Sequence, residues 1–220
     1  MKNGRPTIVA VSGFSSNVGK TTLVCELLNQ LHGWEAIKLS RGHYRSCGKD
    51  PLACCVSDLI GDEPVVRSGR EANYERGKDT GRFWDAGATN VHWVIVNDEQ
   101  VEQGIKEAIA RVSAPGVIIE GNSFLEYVDA DLAIMCARSE GGKVKASARD
   151  ALQKSDVLYV SSLNRDSRRT REEFEAWRSN LPIHLELDDL PIVTSEDVPR
   201  LLQMIENARR AKKPSTDYAD

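Results

Sequence analysis

The chain has 220 residues, 40% of them apolar and 28% charged, ordinary globular proportions that suit one α/β domain with a full core. A formal net charge of −4 argues against a protein that grips nucleic acid or an anionic membrane through bulk positive charge. No apolar run approaches the roughly 18 residues that span a bilayer, and Ile8 to Val11 is too short for a signal-peptide core, so a cytoplasmic location is expected.

In chain order, TIVAVS (7–12) predicts a buried strand. KTTLVCELLNQLHG (20–33) predicts a helix with Leu23, Val24, Leu27, Leu28 and Leu31 on one stripe and Gly33 as its stop signal. WEAIKLS (34–40) predicts a second strand, expected beside the first. Residues 41–70 hold Gly, Pro, Cys and charges without a sustained period and predict an irregular insertion. The stretch 74–88 reads as helical in its later part and closes at Gly87. A strand at 91–97, a helix over 98–112 and strands at 116–121 and 130–137 follow. A helix near 145–154 leads into a strand at 156–162. Thr170 and Glu173 have capping-box spacing for the next helix, and 183–187 suggests an added strand. A last helix from about Ser195 is expected to bury Val198, Leu201, Leu202, Ile205 and Ala208. Strands alternating with helices imply crossover connections, hence a mainly parallel sheet in a three-layer α/β domain. That single domain is expected over residues 1–210, with a flexible tail at 211–220. Ligands of such sheets bind at the carboxyl ends of the strands.

The first such end carries VSGFSSNVGKTTL (11–23). The usual phosphate-binding loop reads G-x-x-x-x-G-K-[ST], whereas here five residues separate Gly13 from Gly19. The chemistry still holds. Glycines let main-chain N–H groups approach an anion closely, and the chain enters a helix whose unpaired N–H groups point at the same place. The loop residues Gly13, Ser15, Ser16, Asn17, Val18 and Gly19 are therefore candidate nucleotide-binding residues. Lys20 can place an ammonium between the β- and γ-phosphates, Thr21 can ligate Mg²⁺, and Thr22 can reach an α-phosphate. A buried strand before the loop and an amphipathic helix after it favour this reading over a mere glycine turn, which implies a P-loop NTPase fold.

Other strand ends add candidates. Glu120 closes a strand, where a carboxylate can hold Mg²⁺ or polarise an attacking water; the alternative is an acid that only caps a strand end. Asp79 opens a helix and reads as an N-cap or as a group linked to phosphate and metal. Lys38 ends the second strand, facing a ligand or solvent. Lys20, Lys38, Asp79 and Glu120 make up the candidate catalytic set. Asn164 and Asp166 stand where GTPases carry an Asn-Lys-x-Asp base-reading turn, but the pattern is not met, so GTP and ATP both remain open.

GHYRSCGKDPLACC places His43, Cys47, Cys54 and Cys55 within thirteen residues. These are zinc ligands by type, although the spacing is not a familiar zinc pattern. Small buried cysteines or a loop that closes over substrate fit as well. Arg67, Arg70, Arg76 and Arg82 can meet an anionic substrate or be solvated; Cys25 and Cys136 read as core.

The G-x5-G-K-T spacing with Val18 before the second glycine resembles dethiobiotin synthetase and the related cobyrinic-acid amidases, ATP-dependent enzymes of a class that often acts as dimers. The order of the phosphate loop, AIKLSRGH (36–43), GKDTGRFWDAGATNV (77–91) and VIIEG (117–121) resembles the molybdopterin-guanine dinucleotide biosynthesis protein B family. The second resemblance covers roughly residues 7–125, with a loop one residue longer and a longer segment between Lys38 and Gly77. It implies a GTP- and Mg²⁺-binding, weakly hydrolytic protein that helps attach a nucleotide to molybdopterin, with a cofactor-biosynthesis protein partner and a homodimeric state. It also implies a phosphate or metal role for Asp79. The dethiobiotin synthetase likeness implies instead an ATP-dependent ligase in which Lys38 contacts phosphate and substrate. A third reading is a nucleotide-switched metallochaperone built on the cysteine loop.

Overall fold

The computed structural model describes residues 5–42, 59–162, 166–180 and 190–212. His43, Cys47, Cys54, Cys55, Asn164 and the expected strand at 183–187 lie outside them. Eight strands form one sheet: β1 (Thr7–Gly13), β2 (Glu35–Arg41), β3 (Val65–Ser68), β4 (Val91–Val96), β5 (Gly116–Glu120), β6 (Leu132–Arg138), β7 (Val157–Ser161) and β8 (Ile192–Val193). The order across the sheet is β3-β4-β2-β5-β1-β6-β7-β8. Among the described strands only β3 runs antiparallel to its neighbour.

Apolar residues run almost without interruption along the central strands because both faces are covered. In β1, Ile8 and Ala10 point into one core while Val9 and Val11 point into the other. The first core is closed by α4 (Val101–Ala110), α5 (Ala146–Leu152) and α6 (Ser167–Ser179), through Ile105, Ala148 and Phe174. The second is closed by α1 (Lys20–Leu28), α3 (Asp79–Asp85) and α7 (Val198–Ala211), through Leu23, Phe83 and Leu201. A short helix, α2 (Arg70–Asn73), follows the edge strand. This is the three-layer architecture that the alternating pattern predicts. No helix among the described residues is long and apolar enough to cross a membrane.

Several details depart from the sequence reading. β2 does not lie beside β1, since β5 pairs with both and separates them. Lys38 sits in mid-strand rather than at its end, as β2 continues to Arg41. The end of the 41–70 insertion is regular: Val65–Ser68 pairs with β4, and a four-residue edge strand is too short to show a period. The proposed capping box at Thr170 and Glu173 is not one. Asp166 caps α6 by accepting from the Arg169 N–H at 3.0 Å, and Thr170 lies buried inside the helix with its hydroxyl on the Asp166 carbonyl. A capping box does form at Thr194 and Asp197, before the last helix. α7 begins at Val198 after a turn of 3₁₀ helix and fully buries Leu201 and Ile205, while Val198, Leu202 and Ala208 are half-buried. Cys136 is core as expected, whereas Cys25 is only partly covered.

The amino ends of β2 and β4 are joined by a buried polar network that no motif announces. Glu35 is 1% exposed, and its Oε1 accepts from the N–H and hydroxyl of Ser113 and from the Ala114 N–H at 2.8–3.0 Å. Its Oε2 lies 2.8 Å from His92 Nε2, while His92 Nδ1 meets the Ser68 hydroxyl at 2.8 Å. Burial would push the Glu35 carboxyl upward, but the hydrogen bonds from His92 and Ser113 outweigh it and hold the group below its ordinary value.

Glu35→Ala strands several buried donors and is expected to cost about 3–5 kcal/mol, read as a loss of denaturant midpoint. A depressed carboxyl stabilises the fold above its unfolded pKa and loses that contribution as pH falls through the folded value. The melting temperature of the native protein therefore declines below the ordinary carboxylate range more steeply than that of Glu35→Ala. Parallel acid profiles would rule the network out as the cause.

Candidate functional site

β1 ends at Gly13 and α1 begins at Lys20, so the intervening loop sits at the carboxyl edge of the sheet between β5 and β6. Gly13 has no room for a side chain: an added Cβ would lie 2.6 Å from Val18 Cγ2. The lengthened loop turns through two left-handed residues, Asn17 (φ 62) and Gly19 (φ 87), on either side of Val18. The Val18 side chain is buried, and its carbonyl accepts from the Ser161 hydroxyl at 3.1 Å. Val18 can therefore meet a ligand only through its main-chain N–H. Phe14 pins the start of the loop. Its N–H donates to Cys136, its carbonyl accepts from Lys145 N–H, and its ring packs 6.0 Å from that of Trp177 on α6.

The loop is held from outside by a residue the sequence reading did not single out. Asn122, two positions beyond β5, accepts from the Gly13 N–H and donates to the Gly13 carbonyl, each at 2.9 Å. A side-chain amide just past the Glu-Gly end of a strand was the available signal. Lys145 was also missed; its ammonium donates to the Ser16 hydroxyl at 3.1 Å. Of the four arginines considered, Arg82 reaches the site and donates to the Thr22 hydroxyl at 3.2 Å. Arg67 and Arg70 instead lie over the rings of Trp93 and Tyr74.

Four elements bring the candidate catalytic residues together. The Lys20 ammonium folds back onto the Ser15 carbonyl at 2.9 Å. Burial draws its pKa below the ordinary value against the opposing pull of Glu120. The Thr21 hydroxyl donates to Glu120 Oε2 at 2.9 Å, and Lys38 Nζ donates to Glu120 Oε1 at 2.6 Å. Lys38 also lies 2.6 Å from Asp79 Oδ2. Burial alone would lower the Lys38 pKa, yet the carboxylates of Glu120 and Asp79 prevail and raise it. In Asp79 the same contact overcomes burial and lowers the carboxyl. Asp79 is the first residue of α3, and it sends its side chain to Lys38 rather than capping its own helix.

A cleft of about 590 Å³ runs along this cluster, from Asp79 and Arg82 past Lys20 to Arg138, Tyr159 and Ser195. Ser16, Asn17, Gly19, Thr21 and Thr22 line it as well, whereas Gly13 and Ser15 face an adjoining hollow. The Thr21 hydroxyl and the Glu120 and Asp79 carboxylates form an all-oxygen donor set, the type Mg²⁺ takes together with substrate phosphates. The Lys38 ammonium lies between the two carboxylates, 2.6 Å from an oxygen of each, and offsets part of their negative charge. Among the described residues no group of three or more His, Cys, Asp or Glu is placed to hold a metal by itself.

The sequence matches no protein-family model and no curated protein. Solved structures do resemble the fold. HypB from Helicobacter pylori in complex with nickel superposes over 98% of this chain and 92% of its own, with a TM-score of 0.51 and 12% identity. The apo form of LpxK from Aquifex aeolicus in complex with ATP gives 0.46 at 15% identity, over 86% of this chain and 53% of its own. A putative plasmid partition protein from Borrelia burgdorferi B31 bound to AMPPNP gives 0.40 at 11% identity, over 95% of this chain and all of its own. The mainly parallel sheet, its helices on both faces and the superposition on the Helicobacter protein make this a three-layer α/β fold of the P-loop NTPase kind.

Proposed function

We propose that the chain binds a purine nucleoside triphosphate with Mg²⁺ along residues 13–22 and hydrolyses its terminal phosphate bond slowly on its own. One observation carries this reading. Lys20, Thr21, Lys38, Asp79 and Glu120 come from four separate elements and converge at the end of a loop shaped for phosphate. A cluster with only a structural task would have no need of that loop.

In this reading the loop N–H groups and Lys20 hold the polyphosphate. Thr21, Glu120 and Asp79 would hold Mg²⁺, which would supply positive charge to the phosphate oxygens. Glu120 orients the attacking water and takes its proton, while the bond from the terminal phosphorus to the diphosphate oxygen breaks. Lys38 follows the charge that builds on the transferred group. The finer assignment is to GTP and to nucleotide attachment in molybdenum-cofactor synthesis. It is supported by the ordered run of GKTT, AIK, GKDT and EG along the chain. A homodimer and a cofactor-biosynthesis protein partner belong to the same proposal.

Lys20→Ala removes a charged hydrogen-bond donor and is expected to weaken Mg²⁺·GTP by about 100-fold in calorimetry. Glu120→Gln is expected to lower the turnover number by about 10²–10⁴ and to weaken Mg²⁺·nucleotide affinity by a smaller factor; equal turnover in the two proteins would remove Glu120 from the mechanism. Because burial holds Lys20 below its ordinary pKa, affinity is expected to decline as pH rises through that lowered value. Lys20→Arg, which keeps its charge, is expected to shift this decline to higher pH, and an unshifted profile would assign it to another group. In a thermal-shift panel GTP is expected to stabilise more than ATP, with about 2.7 kcal/mol gained at a hundredfold excess over Kd; a larger shift with ATP would reverse the base assignment.

A further inference from the structure

The hollow that meets the main cleft at Lys20, Lys38 and Glu120 has a volume of about 190 Å³. Its other walls include Arg41 at the end of β2, Lys145, and the hydroxyl residues Ser123 and Ser147. A third hollow, of about 180 Å³, shares Arg41, Ser123 and Ser147 with it. That third hollow continues over Leu125 and Ala151 to the exposed Glu126, Asp150 and Lys154.

The charge in the middle hollow is one-sided. Four cations line it, Lys20, Lys38, Arg41 and Lys145, against the single carboxylate of Glu120, which already accepts from Lys38. Arg41 is steadied from outside by Asp98, with Nε 3.1 Å from Oδ1. In a phosphate loop the lysine reaches the β- and γ-phosphates, so the terminal phosphoryl group would come to rest where the two cavities join. In that reading Lys20 and Lys38 would answer the triphosphate. Arg41 and Lys145 line the hollow and not the main cleft, Lys145 with one bond to the Ser16 hydroxyl.

We infer that this hollow is the site of a second ligand, a small metabolite bearing a carboxylate or phosphomonoester group, bound beside the terminal phosphate. Its oxyanion lies on Arg41 and Lys145, and its body follows Ser123, Ser147 and Leu125 into the third hollow. Each hollow alone is smaller than the about 300 Å³ at which drug-sized sites begin, so the ligand is a small one that uses both. A guanidinium suits both carboxylate and phosphate because its forked donors match either oxyanion. The inference rests on the nucleotide reading above and adds a co-ligand to it.

The test is calorimetry on the full chain saturated with Mg²⁺·AMPPNP, titrated in separate arms with inorganic phosphate and with succinate. Two variants accompany the native protein. Arg41→Leu removes a charge from the hollow, and Ser147→Leu fills it without touching charge. Saturable binding of one probe at millimolar concentration is expected, and the arm that binds assigns the head group. Each variant is expected to weaken that binding by about tenfold or more, while AMPPNP affinity stays within about twofold because neither residue lines the nucleotide cleft. If AMPPNP binds but neither anion does, or if both variants take up the anion as the native protein does, the inference is wrong and the nucleotide reading stands. If AMPPNP does not bind, GMPPNP takes its place in the same titrations, and if neither analogue binds, both fall.

Discussion

The carboxylate of Glu120 organises the carboxyl edge of this sheet. It is 2% exposed, and a charge so placed costs several kcal/mol of desolvation unless its oxygens are satisfied. One oxygen takes the Lys38 ammonium and the other takes the Thr21 hydroxyl. Those two contacts tie β5 to β2 and to the first turn of α1, and Lys38 carries the link on to α3 through Asp79. A buried ion pair adds little net stability over a well-packed apolar pair. Its position beside the 13–19 loop, at the carboxyl edge where ligands of such sheets bind, is therefore what the proposed nucleotide role draws on.

The loop beside it depends on contacts of another kind. A glycine-rich turn is entropically costly to hold in one shape, and this one is restrained on three sides. Phe14 is packed against Trp177, Val18 is sunk beneath the turn with its carbonyl on Ser161, and Asn122 clamps both main-chain groups of Gly13. These restraints hold the loop in one conformation, and an anchored loop loses less entropy on taking up a ligand than a free one would. The loop turns through two left-handed residues, Asn17 and Gly19, on either side of the buried Val18.

Strand order places two cavities on either side of this centre. Because β5 stands between β1 and β2, the Lys20 and Lys38 side chains approach Glu120 from opposite flanks. The wide cleft follows α1 toward β6 and β7, and the narrow hollow opens toward Arg41 and α5. Had β2 lain directly beside β1, as the sequence reading expected, Lys38 and Glu120 would have been separated by the strand that now carries the loop.

Residues 7–33 contain their own instructions, and so do the other strand–helix alternations. A β-branched run, two glycines at a set interval, a lysine and an apolar stripe are all local features, and local geometry turns them into a strand, a tight turn and a helix. That much the sequence determined by itself, together with the mainly parallel sheet. The tertiary structure decided which strands became neighbours, and with that the partners of the charged groups. Lys38 meets Glu120 across 82 residues and Gly13 meets Asn122 across 109. No period or motif specifies pairings at such distances, since they follow from the order in which crossovers lay strands into the sheet. The same holds for the Glu35–His92 network and for the hollow beside Lys145, whose walls come from segments that share no local signal.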